Sequence, residues 1–372
     1  MNNKKISILH FSQVNGGVER YLKLFLKFSD CLIFENSIIS PNKNNYESYS
    51  CYIKNFYEVN IGQSFSIYKL LKNVFLIRKI IKKENPDILF LHSTFAGVIG
   101  RLASIGYKCK VIYNPHGWSF KMRITFSKKI IYAFIEFFLS FLTDKLIVIS
   151  KSEYSAARKL GISPSKLEIV YNGIDTVIKT APMKLDIPNI NDKYVIGMVG
   201  RISEQKNPLF FVDFANAVYK KYPNTFFIIV GSGELESIVK EKIHEYKLDE
   251  NFLITGWVSN PEDYISLFDQ AVLFSKWEGF GFAVAEYMLY KKPIIINDID
   301  GMSEIITENI DGMKIRLNDL NSAVKKSNVI RNNKELSKEL GENAFNNVNS
   351  RFSIYDKIRK IESIFLDLVG KE

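Results

Sequence analysis

Short apolar runs alternate along the chain with longer stretches whose apolar residues recur every three or four positions. The first pattern fits buried strands and the second amphipathic helices; their alternation marks parallel sheets built from βαβ units. In the first half the runs predict strands at Ile6–Phe11, Cys31–Ile39, Asp87–His92, Lys110–Asn114, Lys145–Ile149 and Glu168–Tyr171. Helices fit between them at Val18–Phe28, Ser66–Lys83, Phe95–Ile105, Ser127–Leu142 and Ser152–Leu160. From Thr180 to Asp192 periodicity lapses into Ala-Pro, Ile-Pro and Asn-Asp, the texture of a linker.

A second series follows, with strands expected at Tyr194–Val199, Phe226–Val230, Phe252–Thr255, Ala271–Phe274, Pro293–Asn297 and Lys314–Leu317. Helices fall at Pro208–Lys220, Leu235–Leu248, Pro261–Phe268 and Phe282–Tyr290, and the tail from Leu320 is helical, closing with Ile354–Val369. The expected fold class is α/β, with two doubly wound Rossmann-like domains facing a cleft. The expected division is residues 1–180, a linker at 181–192, residues 193–350, and a terminal helix at 351–372 packing back on the first domain. Ligands in such sheets sit beyond the carboxyl ends of the strands, so the strand-to-helix loops are where chemistry is to be sought.

After the first strand comes Gly16-Gly17-Val18-Glu19-Arg20. Paired glycines let backbone approach a ligand, and the N–H groups of the following helix face an anion; a tight turn with Glu19 at the helix start reads the same letters. Asn114-Pro115-His116-Gly117-Trp118 holds His116 in a turn just past a strand. In Gly200-Arg201-Ile202-Ser203-Glu204-Gln205-Lys206-Asn207, two cations flank the entry to a helix, which suits a diphosphate. The bland alternative is a surface ion pair with Glu204. Gly231 opens another close-approach turn, Gly231-Ser232-Gly233-Glu234.

The sharpest signal is Ser275-Lys276-Trp277-Glu278-Gly279-Phe280-Gly281-Phe282-Ala283-Val284-Ala285-Glu286. A strand passes through a glycine-rich turn into a helix, with Glu278 in the turn and Glu286 about one turn into the helix. Paired carboxylates of this kind accept hydrogen bonds from vicinal hydroxyls. As a nucleophile pair for glycoside hydrolysis they would need facing geometry roughly 5–10 Å apart, which this spacing does not guarantee. Asp300-Gly301-Met302-Ser303-Glu304 adds a further turn after the next strand.

The order GGVER, NPHGW, GRISEQKN, VGSGE, SKWEGFGFAVAE and DGMSEII resembles glycosyltransferase family 4, of GT-B fold, over nearly the whole chain. Its most specific part is the E-x7-E stretch with the upstream Arg and Lys. HGWSF and EQKNP are most similar to enzymes that build bacterial capsule, O-antigen or exopolysaccharide. The resemblance implies a retaining glycosyltransferase that moves a sugar from a nucleotide-sugar donor, UDP-linked by default, to a glycan acceptor, lipid-linked in such pathways. It implies that Arg201 and Lys206 bind the donor diphosphate and that Glu278 holds hydroxyls of the transferred sugar. Glu286 would hold the ribose, and Gly16 and Gly17 would frame the phosphate side. His116 would sit near sugar and acceptor, with Gly256 and Trp257 flanking the base. Gly200, Gly231, Gly279, Phe280, Gly281, Gly301 and Met302 complete the implied donor site. No metal and no other cofactor is expected. Gly301-Met302 stands where many members have two glycines, and Tyr287 to Lys292 replaces a helix of small residues. Competing expectations are a nucleotide-sugar epimerase of the same architecture, an inactive nucleotide-sugar-binding scaffold, and a metal-dependent transferase using Asp298-Ile299-Asp300.

Charge adds a surface to this picture. The net charge of +10 is concentrated in residues 1–186, where 27 Lys and Arg stand against 13 Asp and Glu, while residues 187–372 carry a net −4. A basic half faces a polyanion, either nucleic acid or an anionic membrane; no recognition motif supports the former. On a helical wheel Leu70, Val74, Ile77 and Ile81 share one face with Lys69, Lys72, Lys79 and Lys83 opposite, and Lys121, Arg123, Lys128 and Lys129 precede the apolar run Ile130–Leu142. Peripheral binding to the inner face of the cell membrane is expected, the alternative being two core-facing helices. That run carries Glu136 and is too short to span roughly 30 Å of hydrocarbon. Lys4 and Lys5 precede only a brief apolar run, so no export signal is read and a cytoplasmic location is expected. The three scattered cysteines, Cys31, Cys51 and Cys109, are expected as buried free thiols.

Overall fold

A computed structural model of the chain describes residues 4–12, 16–41, 49–60, 66–122, 124–178, 185 and 187–370. Residues 181–184 and 186 of the expected linker, and Arg123, lie outside the described residues. The chain divides into two compact units, Met1–Asp175 with Ile354–Glu372, and Thr176–Ser353.

The first unit is a seven-stranded parallel sheet of β1 (Ile6–Ser12), β2 (Phe34–Ser40), β3 (Phe56–Glu58), β4 (Ile88–His92), β5 (Lys110–Asn114), β6 (Lys145–Val148) and β7 (Leu167–Ile169). Their spatial order is β3-β2-β1-β4-β5-β6-β7. Its helices are α1 (Gly17–Phe28), α2 (Ile67–Glu84), α3 (Thr94–Ala103), α4 (Phe126–Leu139) and α5 (Lys151–Lys159). A central strand of a parallel sheet is covered on both faces and reads as a continuous apolar run; every residue of β4 is buried. Among the polar residues of the central strands, His10 and His92 are fully buried.

The second unit repeats the plan with β8 (Tyr194–Val199), β9 (Thr225–Val230), β10 (Phe252–Ile254), β11 (Gln270–Leu273), β12 (Ile294–Asn297) and β13 (Met313–Ile315), ordered β10-β9-β8-β11-β12-β13 and parallel throughout. Its helices are α6 (Pro208–Lys221), α7 (Glu236–Glu245), α8 (Pro261–Leu267), α9 (Phe282–Leu289), α10 (Leu320–Asn332) and α11 (Lys334–Arg351). Asn333 separates the last two by capping α11, its side chain accepting from the Leu336 N–H at 3.0 Å. The final helix α12 (Ile354–Val369) belongs to the first unit. Its Phe365 ring meets Phe25, Phe34 and Phe90, and Glu362 accepts from the Asp30 N–H at 2.7 Å.

Where sequence and structure differ, local chemistry explains it. β2 starts at Phe34 because residues 31–33 turn outward, with Leu32 exposed. β3 is too short and too little buried to show as an apolar run. Cys31 and Cys51 are exposed and Cys109 is half-buried, which corrects the expectation of buried thiols; all three are free. On α2, Ile77 and Ile81 are buried and Leu70 and Val74 pack against the same core, so that face is turned inward. A different set on α2, including Ile67, Tyr68, Leu71 and Phe75, is exposed.

The run that carries Glu136 does so for a structural reason. Glu136 accepts from Arg101 Nη2 at 2.8 Å and from Tyr113 Oη at 2.9 Å, with both charged side chains essentially inaccessible. Removing one member strands the other charge in the core. Glu136→Ala is therefore expected to cost about 3–5 kcal/mol, measured as a lowered urea midpoint at unchanged slope.

Candidate functional site

In each sheet the strand order reverses beside the first strand laid down, between β1 and β4 and between β8 and β11. Loops diverge there and leave a crevice beyond the carboxyl ends.

In the second unit the loops after β8 and β11 are zipped together. The Lys276 N–H donates to the Gln205 carbonyl at 2.7 Å, and Gln205 Nε2 donates to the Trp277 carbonyl at 3.0 Å. This backbone lacing sets Lys206 against Glu278, Nζ to Oε2 at 2.5 Å, and Ser275 Oγ donates to the same oxygen at 3.3 Å. Both charged side chains are largely buried, at 16% and 13% exposure. A Cβ on Gly200 would lie 3.2 Å from Lys206 Cε, so glycine there leaves room for the lysine stem to fold back. Gly231 has a stricter reason: a Cβ would stand 2.2 Å from the Gly200 carbonyl oxygen. Gly281 caps α9 at φ +84, a left-handed backbone natural to glycine.

The other expected donor-site residues take varied places. Arg201 is 74% exposed and pairs with Glu234 at 3.3 Å, not with Glu204, which pairs instead with Lys276. Glu286 is nearly buried on α9. The Phe280 ring is in the core against Phe282 and Phe352, and Met302 is fully buried, so neither side chain is offered to a ligand. Gly279 is half-buried and Gly301 buried, the latter with ordinary helical backbone. Gly256 bridges Gly231 and is followed by Trp257, 79% exposed.

In the first unit Gly16, at φ +87, and Gly17 open α1, both exposed. His116 turns at φ +52, its N–H donating to Asn114 Oδ1 at 3.0 Å. Behind it stands a line that sequence reasoning missed. His116 Nε2 lies 3.1 Å from His92 Nδ1, His92 Nε2 lies 3.2 Å from His10 Nδ1, and His10 Nε2 lies 3.0 Å from Asn36 Oδ1. Burial lowers the pKa of His10 to about 4 and that of His116 to about 3. His92 is driven well below its usual value by burial and then by its two neighbours. All three rings are neutral near pH 7. Histidine inside an otherwise apolar strand was the available signal. Close by, Tyr21 Oη, Ser93 Oγ and Asn114 Nδ2 are buried with no partner among the described residues.

Residues 15–177 match the family described as Glycosyltransferase Family 4, and residues 183–347 match Glycosyl transferases group 1. The chain belongs to glycosyltransferase family 4. An uncharacterized 41.2 kDa protein in the cps region of Klebsiella pneumoniae is 32% identical to this transferase over 373 residues, spanning 94% of this chain and 99% of its own. The UDP-Gal:alpha-D-GlcNAc-diphosphoundecaprenol alpha-1,3-galactosyltransferase of Escherichia coli is 29% identical over 332 residues, spanning 85% and 84%. Among solved structures, Anabaena Alr3699/HepE in complex with UDP superposes with a TM-score of 0.80 at 19% identity, covering 98% of this chain and all of that one. The two doubly wound units are those of the GT-B fold.

Proposed function

We propose that this family 4 glycosyltransferase is a retaining, metal-independent enzyme that transfers a sugar from a UDP-sugar to a lipid-linked acceptor in bacterial surface polysaccharide synthesis. The observation that carries the reading is the Lys206–Glu278 pair at the switch point of the second sheet, a cation and a hydroxyl acceptor where a nucleotide sugar needs both. The lipid-diphosphate acceptor named for the Escherichia coli relative and the UDP in the Anabaena structure support the choice of substrates.

In this mechanism Lys206 and Arg201 neutralise charge on the departing diphosphate. The acceptor hydroxyl attacks the anomeric carbon from the face the diphosphate leaves. The bond from that carbon to the phosphate oxygen breaks as the new glycosidic bond forms, and the hydroxyl proton passes to the phosphate oxygen. Glu278 accepts from sugar hydroxyls while holding Lys206. A thermal-shift screen against UDP, GDP, ADP and TDP tests the donor: UDP at 100 times its dissociation constant should stabilise by about 2.7 kcal/mol, unchanged by EDTA. A shift that needs a divalent metal, or that follows another nucleotide, would refute this assignment.

The same reading has the enzyme docking on an anionic membrane through α4. Phe126, Ile130, Ile131, Phe134 and Phe138 are exposed along this helix, followed by Phe141, with Phe126 at 78% and Phe134 at 63%. Exposed Lys128 lies among them, and Lys69, Lys72, Lys79, Lys82 and Lys83 are exposed on α2. Aromatic insertion and about 1 kcal/mol per cation at an anionic surface act together. Among the described residues no helix is long and apolar enough to cross a membrane. Flotation with phosphatidylglycerol-containing vesicles should carry the wild type up, and Phe134→Glu with Phe138→Glu should weaken partitioning more than tenfold. Equal flotation of both would refute docking through α4.

A further inference from the structure

The line Asn36–His10–His92–His116 has a definite polarity. Each neutral imidazole carries one N–H and one lone pair, and each ring-to-ring contact accommodates a single proton. With Asn36 Oδ1 accepting, His10 carries its proton on Nε2 and turns a lone pair at Nδ1 toward His92. His92 then donates from Nε2 and accepts at Nδ1, which obliges His116 to donate from Nε2. Reversing His10 or His92 would set N–H against N–H at one contact and lone pair against lone pair at another, and reversing His116 would set lone pair against lone pair at His92. The amide of Asn36 thus dictates the state of a loop residue three rings away. His116 Nδ1 is left with its lone pair, and no partner for it occurs among the described residues.

The burial of the line gives this polarity force. His10 and His92 are wholly inaccessible and Asn36 is 4% exposed, so an unmatched contact would have no water to repair it. Rotation of the rings is also restricted. His10 packs edge-on to Phe25 at 5.2 Å, and His116 packs against the Tyr21 ring at 4.6 Å.

We propose that Asn36, His10 and His92 are positioning residues that hold His116 as its Nε2–H tautomer, making Nδ1 an obligate acceptor for a hydroxyl of the bound sugar substrate. The inference rests on the transferase reading for its ligand, not for its tautomer. A site arranged this way takes a hydrogen bond from an O–H and rejects a group that offers only lone pairs.

The test uses the full chain labelled with 15N-histidine. The sequence holds four histidines, three of them in this line, and long-range 1H–15N correlation spectra distinguish the two neutral tautomers from imidazolium. The wild type at pH 7 should show three Nε2–H rings. Asn36→Leu removes the terminal acceptor and should give His116 a mixture of tautomers, with kcat/KM for transfer falling about three- to tenfold and the UDP-induced thermal shift retained. Asn36→Asp, which as a carboxylate can only accept, should restore both the spectrum and the rate. Should Asn36→Leu fail to fold, His10→Phe breaks the line within an aromatic environment and is expected to act alike. An Nδ1–H or charged His116 in the wild type would overturn the proposal. So would an unchanged His116 spectrum and rate in the variant that breaks the line. Absence of transfer by the wild type would refute the transferase reading and the hydroxyl assignment with it, while the spectra would still decide the tautomer.

Discussion

Lys206→Ala should lower kcat/KM for sugar transfer by about a hundred- to a thousandfold, the loss typical of one preorganised group facing transition-state charge. The ammonium is held before the donor arrives, 2.5 Å from Glu278 and folded over Gly200, so little reorganisation is needed as the diphosphate departs. Arg201 is three-quarters exposed and pairs with the exposed Glu234, and Arg201→Ala should cost less than Lys206→Ala. Glu278→Ala is expected to slow transfer while UDP affinity changes little, because Glu278 serves the sugar and steadies Lys206. Combining Lys206→Ala with Glu278→Ala should be less damaging than the sum, as for any two residues sharing one contact. Steady-state kinetics of the four variants check this. Transfer by Lys206→Ala within tenfold of wild type would remove the lysine from its role.

Acidification should unsettle the first unit well above the range where carboxylates titrate. Folded His10 stays neutral to about pH 4 and His116 to about pH 3, whereas an imidazole in the unfolded chain takes its proton near 6.5. Between those values the unfolded chain binds more protons, so stability rises with pH there and is lost as the pH falls. The loss is about 1.4 kcal/mol per pH unit below 6.5 for a ring held neutral, or about 2 kcal/mol at pH 5 from His10 alone. Glu362 works oppositely: burial raises its pKa, so the folded state binds its proton more readily and gains stability as the pH falls through the raised value. Urea midpoints at pH 7 and pH 5 measure the balance. The His10→Phe variant should show a pH slope smaller by up to one proton, and an identical slope would contradict the neutral burial of this ring.

The two charged motifs illustrate how unevenly the site was legible. Lys206 and Glu278 each stood out, one beside a helix entry and one in a glycine-rich turn. Their union was not legible, because 72 residues separate them and only the adjacency of β8 and β11 makes their loops neighbours. Gly231 invited a general remark about close approach; the carbonyl of Gly200 that it must clear is a fact of packing. Phe280 and Met302 fell inside a binding motif, yet their side chains serve the core.

The apolar periodicity by itself determined the two α/β series and the rough limits of their strands, because a parallel strand must be apolar on both faces wherever it lies. Local chemistry likewise marked the loops that enter α1, α6 and α9, since glycine and charge at a strand's end act within a few residues. Tertiary structure alone decided which apolar helix faces stay exposed. The wheel of α2 suggested one surface and the core claimed it, leaving Phe75 and its neighbours outside. It alone also assembled Asn36, His10, His92 and His116 from three strands and a loop. Hydrogen bonds between residues far apart in sequence leave no periodic trace, and their register is set only when the strands pair.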